Sequence, residues 1–157
     1  MRVGIGSDLH RLEPGGRLVL GGVEIDDTRG PVAHSDGDAL LHAIIDAMFG
    51  AAGLGDIGEH FPDSDPEYRD ADSRDLLRKA SGLLADAGFH TRQIDATVVL
   101  ERPNLGAHKA AMRANIAADL GLTPEMVNVK AKTGEGLGPV GRGDAVAAEA
   151  VVLLGSA

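Results

Sequence analysis

The stretch AHSDGDALLHAIIDAMFGAAGLGDIGEHFPDSDP, residues 33–66, decides the fold. In its first half, apolar side chains recur with the period of an α-helix at Leu40, Leu41, Ile44, Ile45, Met48 and Phe49. Asp36 or Asp38 precedes this run at the position where a carboxylate caps a helix N-terminus. The second half, continuing to residue 72, mixes Gly, Pro and Asp without a period, which predicts a long polar loop. Loops of this length are usually functional or disordered, so the stretch predicts a helix that leads into a candidate site.

On either side of this stretch, strand and helix patterns predict a single domain that covers residues 1–157. The predicted strands cover residues 3–6, 17–25, 93–101, 126–133 and 145–154, and the further helices cover residues 73–88 and 106–121. The turn sequence EPGG separates the first two strands, which are expected to form a hairpin. Ser73 is expected to cap its helix. At the C-terminal end, Val-rich alternation favours a strand over a helix.

These elements predict the fold class α/β (α+β), with a mixed four- to five-stranded sheet and helices on one face. The opposite face of such a sheet needs a cover. Self-association of the chain would supply that cover, so an oligomer is expected.

Composition narrows the class of partner. Lys and Arg number 15 against 24 Asp and Glu, a net charge of −9, which argues against binding to nucleic acid or to anionic membranes. Aromatic residues make up 3%, too few for stacking on single-stranded nucleic acid. The expected partner is therefore a small molecule. An anionic substrate is still compatible with the acidic chain if a bound divalent cation reverses the local field.

The sequence also bears on location and on metal chemistry. The N-terminal segment MRVGIGSDLH has no apolar core of a signal peptide, and no apolar run reaches the roughly 20 residues of a membrane span. A cytoplasmic location is therefore expected. Because the chain has no Cys, any metal must bind to His and carboxylate ligands.

Asp8, His10 and His42 form a candidate metal site. Asp8 and His10 lie just beyond the first predicted strand, and in extended backbone residues two apart share a face. His42 lies on the first helix, one turn from Asp38 and from Asp46, either of which is placed to accept its second ring N–H. One carboxylate and two imidazoles suit zinc with an open fourth position. An Asp-x-His pair alone selects no function, so this hypothesis depends on the wider pattern.

His34 and Ser35 stand a few residues before the first helix. Free backbone N–H groups at a helix N-terminus favour an anion, so phosphate would fit there. The alternative for the same HSDGD segment is a simple capping turn.

The segment KTGEGLGPVGRGD offers a second mixture of charges. Lys132 and Arg142 flank Thr133 and Glu135 among glycines, a combination that can pair phosphate with cations and a carboxylate with a second metal. A flexible glycine-rich connection is the alternative.

Taken together, five segments resemble the 2-C-methyl-D-erythritol 2,4-cyclodiphosphate synthase family of the non-mevalonate isoprenoid pathway. They are GSDLHRL, the stretch from residue 33 to residue 66, ADSRDLL, ERP and GRGD, and they span essentially the whole chain. The resemblance implies a homotrimer with active sites between neighbouring subunits. It also implies that Asp8, His10 and His42 bind Zn²⁺, and that Glu135 helps to hold Mg²⁺ or Mn²⁺.

The resemblance further implies roles for individual residues. His34 and Thr133 would stabilise the transition state, and Ser35 and Lys132 would hold phosphate. The other implied substrate-binding residues are Asp56, Ile57, Gly58, Phe61, Pro62, Asp63, Ser64 and Asp65 beside the methylerythritol unit; Leu100, Glu101, Arg102, Pro103, Asn104, Leu105 and Gly106 in a cytidine pocket that serves the neighbouring subunit; and Pro139 and Arg142. Ser7 and Pro139 stand where family members often have aromatic residues.

The implied activity is that of a metal-dependent phosphorus–oxygen lyase. It would convert 4-diphosphocytidyl-2-C-methyl-D-erythritol 2-phosphate to 2-C-methyl-D-erythritol 2,4-cyclodiphosphate and CMP. The main alternative is a zinc phosphohydrolase acting on a nucleotide-linked substrate, in which the open metal position activates water. A trimeric metal-binding scaffold without enzymatic activity is the third possibility.

Overall fold

The computed structural model describes residues 1–26 and 28–156, which form one α+β domain around a five-stranded mixed sheet. In chain order the elements are β1 (Arg2–Pro14), β2 (Leu18–Leu20), β3 (Val23–Asp26), β4 (Arg29–Pro31), α1 (Ala39–Ala52), α2 (Ile57–His60), α3 (Ser73–Asp86), β5 (Phe89–Val99), α4 (Lys109–Leu120), β6 (Val127–Lys132), α5 (Gly138–Gly141) and β7 (Ala145–Ser156). The strand order is β4-β1-β7-β5-β6. β5 and β6 are parallel, and the other neighbours are antiparallel.

The helices pack on one face of this sheet, as the sequence predicts. α1 lies against β1 and β7, α3 against α1 and β5, and α4 against β6. Along β7 the side chains alternate: Val146, Ala148, Ala150 and Val152 are buried, whereas Val151 is exposed. The C-terminal segment is thus a strand, and one face of the sheet carries the core.

Two glycines of β1 allow α1 to approach the strand closely. A Cβ atom on Gly4 would lie 2.1 Å from the carbonyl oxygen of Ala47, and one on Gly6 would lie 2.2 Å from that of Ala43. Neither position has room for any side chain, so the backbone of α1 rests directly on the backbone of β1. Because Gly4 and Gly6 are two residues apart on a strand, both lie on the face of β1 that points toward α1.

The predicted hairpin between the first strand and residues 17–25 is wrong. That segment turns at Gly21 and Gly22 and forms two short strands, β2 and β3, which pair with each other in a separate sheet. The neighbours of β1 are instead β7 and β4. The short strand β4 is not predicted by the sequence patterns. Gly21 and Gly22 both have positive φ, a conformation that residues with side chains disfavour. The chain therefore turns there, so β2 ends at Leu20 and β3 begins at Val23.

Asp38 is the N-cap of α1 and joins the β2–β3 turn to that helix. Its carboxylate accepts hydrogen bonds from the backbone N–H groups of Gly21 (2.9 Å), Gly22 (2.8 Å) and Leu41 (3.0 Å). The side chain is fully buried. Burial raises the pKa of Asp38 to about 6, even though the three N–H donors lower it. Of the two predicted caps, the structure therefore selects Asp38.

Several predicted boundaries differ from the structure. Asp8 and His10 lie inside β1, because the first strand continues to Pro14 instead of ending at Gly6. Asp72, not Ser73, caps α3, since its carboxylate accepts the N–H of Arg74 at 2.8 Å. The predicted loop over residues 53–72 contains α2 and a short 3₁₀ helix, Pro66–Tyr68. Among the described residues, no helix is both long enough and apolar enough to cross a membrane.

Candidate metal centre and active site

Asp8, His10 and His42 converge on one point. The Asp8 Oδ2 atom lies 2.8 Å from Nε2 of His10 and 3.0 Å from Nδ1 of His42, and the two ring nitrogens are 3.3 Å apart. The three side chains remain partly accessible, between 12% and 23% exposed. One oxygen and two imidazole nitrogens at this separation fit the ligand set of zinc with an open position.

The packing of α1 on β1 explains how the three residues meet. Asp8 and His10 continue the face of β1 that starts with Gly4 and Gly6 and points toward α1. Because the glycines bring α1 onto the strand, His42 in the first turn of the helix reaches the level of Asp8. The candidate metal site is therefore a consequence of this close helix–strand contact.

The electrostatics of the group suit a cation. Burial raises the pKa of Asp8, but hydrogen bonds and positive charge from His10 and His42 outweigh it and hold that pKa well below its usual range. Burial lowers the pKa of His42, yet the hydrogen bond and charge of Asp8, with the charges of Asp38 and Asp36, raise it above its ordinary value. The pocket thus favours positive charge on the imidazole when no metal is bound.

The second ring nitrogen of His42 does not contact either predicted carboxylate. His42 Nε2 lies 2.9 Å from the hydroxyl of Ser73 and 3.2 Å from that of Ser35. Asp38 faces the β2–β3 turn, and Asp46 accepts the backbone N–H of Ile57 at 3.2 Å, which fixes the start of α2. The predicted partners are wrong because residues one turn apart on a helix share a face, but each side chain can bond to a different group outside the helix.

A cavity of about 430 Å³, called here the metal-side cavity, opens beside the candidate metal ligands. Its wall includes the three ligands and seven more residues expected from the sequence: His34, Ser35, Ile57, Gly58, Phe61, Pro62 and Asp63. Of the same predicted set, Asp56 caps α2 by accepting the N–H of Glu59 at 3.0 Å. The carbonyl of Asp65 lies 3.3 Å from Nε2 of His34, and no contact places Ser64 in this cavity.

A second, smaller cavity of about 190 Å³ contains most of the expected cytidine pocket. Its wall includes Leu100, Asn104, Leu105, Gly106, Lys132 and Thr133. The Leu100 N–H donates to the carbonyl of Lys132 (2.9 Å), and the Gly134 N–H donates to the carboxylate of Glu101 (2.9 Å), so these two loops are joined. Thr133 donates its hydroxyl to Glu135 at 3.2 Å.

The remaining predicted residues line other depressions. Arg102 and Pro103 border a cavity of about 260 Å³, and Pro139 and Arg142 border one of about 710 Å³ beside β1. Within a single chain, therefore, the candidate metal ligands and the residues from the C-terminal half lie in separate cavities.

Sequence reasoning missed five contributors to the site. The metal-side cavity is also lined by Val32, Ala33, Tyr68 and Leu76, and Ser73 contacts His42. Tyr68 is the single tyrosine of the chain and lies in the predicted loop, which is a usable signal. Ser73 gave no such signal, because a Ser near a helix start normally indicates a cap.

The chain is similar to known proteins over nearly its whole length. A model of the YgbB family matches residues 1–155. The chain belongs to the YgbB family. It is 56% identical over 154 residues to the 2-C-methyl-D-erythritol 2,4-cyclodiphosphate synthase of Ralstonia nicotianae, which covers 98% of this chain and 92% of that relative. The synthase of the same name from Dechloromonas aromatica is 56% identical over 153 residues, covering 98% and 96% of the two chains.

Solved structures agree with this membership of the YgbB family. A CDP-bound 2C-methyl-D-erythritol-2,4-cyclodiphosphate synthase superposes with a TM-score of 0.90 at 42% identity, covering 98% of this chain and all of the other. The Plasmodium falciparum IspF–CDP complex gives a TM-score of 0.85 at 32% identity, covering 99% and 96%. The bifunctional IspDF of Campylobacter jejuni gives 0.95 at 43% identity; it matches 99% of this chain, which spans 42% of that longer one. The family predicted from the five sequence segments is thereby confirmed.

Proposed function

We propose that residues 1–157 act as one 2-C-methyl-D-erythritol 2,4-cyclodiphosphate synthase domain. The convergence of Asp8, His10 and His42 at the wall of a cavity that also holds His34 and Ser35 carries this proposal. The substrate would be 4-diphosphocytidyl-2-C-methyl-D-erythritol 2-phosphate. Relatives named for this reaction and related structures in CDP-bound form support the choice of substrate.

In the proposed reaction, an oxygen of the 2-phosphate attacks the β-phosphorus of the diphosphate. The bond from that phosphorus to the bridging oxygen breaks, and CMP leaves with the bridging oxygen. Because the nucleophile is already an anion, no protein group needs to remove a proton. The task of the protein is to hold the two phosphates in line, and such positioning can be worth an effective molarity of about 10⁵ M or more.

Asp8, His10 and His42 would hold Zn²⁺, whose positive charge stabilises negative charge on the phosphoryl oxygens when it is bound. Glu135 would contribute to a site for Mg²⁺ or Mn²⁺. Zinc is the better fit at the first site because two of the three ligands are imidazoles, whereas magnesium and manganese favour oxygen.

The protein's own groups would orient the substrate around these ions. Ser35 and Lys132 would bind phosphate, and His34 and Thr133 would donate hydrogen bonds as charge develops on the phosphoryl group. Residues 56–58 and 61–65 would contact the methylerythritol unit. Residues 100–106 would bind the cytidine, with Pro139 and Arg142 at the adjoining surface.

A homotrimer would complete the site. The separate positions of the metal-side cavity and the cavity at Leu100 and Thr133 support a site shared between subunits. The outward face of β1 also exposes Val3, Ile5 and Leu9, each more than 60% accessible, which supports an interface there. A cytoplasmic location stays a prediction.

The proposal is tested by supplying the cytidyl substrate and following the products by phosphorus NMR. The expected result is a cyclic diphosphate and CMP. Methylerythritol with two uncyclised phosphates, at positions 2 and 4, together with CMP would instead identify a zinc phosphohydrolase, and unchanged substrate would favour a scaffold.

The variant His42→Ala provides the matching prediction for the metal. It should lose most of its bound zinc and lower turnover by more than about 10²-fold, because removal of a ligand costs more than removal of its outer partner. Elemental analysis measures the zinc, and the exposed His90→Gln is the matched control. Full zinc content in His42→Ala would refute the assignment of this ligand.

A further inference from the structure

We propose that Ser73 and Asp36 act as positioning residues for His42, with Asp36 fixing the Ser73 hydroxyl as the acceptor of the His42 Nε2–H. Nδ1, which faces Asp8 and donates its hydrogen to that carboxylate when no metal is bound, is then the nitrogen left to bind the ion. This inference rests on the proposed metal site. It adds two residues, Ser73 and Asp36, that orient a ligand without binding the metal themselves.

The count of hydrogens sets the direction of the contacts. The Ser73 hydroxyl has one hydrogen, and it donates this hydrogen to Oδ1 of Asp36 at 2.5 Å. An ionised carboxylate can only accept. The Ser73 oxygen therefore presents a lone pair to His42 Nε2 at 2.9 Å, so Nε2 carries a hydrogen and donates it to Ser73.

Asp36 is itself held in place from several sides. Its carboxylate also accepts the N–H groups of Ser73 (3.0 Å) and Asp38 (3.1 Å), and its own N–H donates to the carbonyl of Ala71 (3.1 Å). The acceptor is thus tied both to the segment before α1 and to the first residue of α3. Asp36 cannot follow a rotation of the Ser73 hydroxyl without breaking these bonds.

Burial makes the arrangement effective. Ser73 is fully buried, so water does not compete for its hydroxyl. Ser35 gives a longer contact to the same nitrogen, 3.2 Å, and its hydroxyl also accepts the N–H of Gly37. Metal-binding imidazoles are commonly oriented through the other ring nitrogen, and loss of such a partner typically costs about 10–100-fold in metal affinity.

Ser73→Ala and Asp36→Asn test the relay in different ways. Ser73→Ala removes the acceptor of the ring hydrogen. Asp36→Asn keeps the Ser73 side chain and its packing but weakens the group that holds its hydrogen, so it remains informative even if Ser73→Ala does not fold. The matched controls are Ser81→Ala and Asp75→Asn, on α3 and outside the cavity.

Two readouts are measured on each protein. Zinc affinity from competition with a chromophoric chelator should fall about 10–100-fold in both variants and stay within twofold of wild type in the controls. NMR of metal-free, ¹⁵N-histidine-labelled protein at pH 8 should show a slowly exchanging Nε2–H of His42 in the wild type. That signal should be lost to exchange in Ser73→Ala, and it should exchange faster than in the wild type in Asp36→Asn.

Zinc affinity within twofold of wild type in both variants would overturn the proposal, as would an unchanged Nε2–H signal in both. Failure of the metal site itself gives a different pattern: wild-type protein would then bind no zinc, while the NMR comparison would still decide whether Ser73 and Asp36 orient the ring.

Discussion

At the residue scale, the carboxylate of Asp8 determines the chemistry of the site. A single oxygen of this side chain contacts a nitrogen of His10 and a nitrogen of His42. Without a metal, these contacts hold the pKa of Asp8 well below its usual range and raise that of His42. Protons and the proposed zinc ion would therefore compete for the same group of atoms.

This competition predicts a pH-dependent zinc affinity. Because the pKa of His42 is raised above 6.5 in the metal-free protein, a proton occupies the ring below that pKa and must leave when zinc binds. Zinc affinity should fall by at least about tenfold for each pH unit below the pKa of His42, and level off above it. Chelator competition between pH 5.5 and 8.5 measures the effect. Affinity that is constant across this range would contradict the assignment.

At the scale of elements, the contact between β1 and α1 positions the candidate metal ligands. Gly4 and Gly6 place no side chain of β1 against the backbone of α1, and His42 then reaches Asp8. Asp38 fixes the N-terminal end of the same helix to the β2–β3 turn. The helix is thus held along its length by backbone contact and at its start by a buried carboxylate.

Gly6→Ala tests this contact. The added Cβ would lie 2.2 Å from the Ala43 carbonyl oxygen and 2.5 Å from the Ala47 nitrogen, so α1 must move away from β1. The free energy of unfolding should fall by about 3 kcal/mol, and zinc affinity should fall with it. Urea denaturation and a zinc titration measure the two effects.

Gly82→Ala is the matched control for that change. Gly82 lies in α3 with nothing within 4 Å of the position of a Cβ, so alanine should stabilise the protein by about 0.5–1 kcal/mol. If Gly6→Ala were as stable as Gly82→Ala, close helix–strand packing would not be what supports the site.

At the scale of the whole molecule, the sheet has one covered and one open face. Helices cover the first, and Val3, Ile5, Leu9 and Val151 lie on exposed positions of the second. A patch of this kind on a small domain indicates an interface. The proposed homotrimer would both bury the patch and unite the separate cavities.

Ile5→Glu tests the role of this face. Ile5 is 71% exposed in the chain, so a charge there is tolerated by the isolated domain but not by an apolar interface. Light scattering should show a change from three times 16.2 kDa to a single chain, with zinc retained and most cyclase turnover lost. The control Leu83→Glu, on α3, should keep the trimer. A trimeric and active Ile5→Glu protein would refute an interface at this position.

The sequence by itself determined the family, the mixed sheet with helices on one face, and the three candidate metal ligands. These follow from local period, from the i, i+2 spacing and from a long matching segment, all of which are present in the order of residues. Only the tertiary structure decided that Asp8 and His10 lie within a strand, that residues 17–25 form their own hairpin, and that Ser73 is the partner of His42. Strand partners and hydrogen-bond targets are contacts between residues distant in sequence. Their energies depend on which elements pack together, and a local pattern does not contain that information.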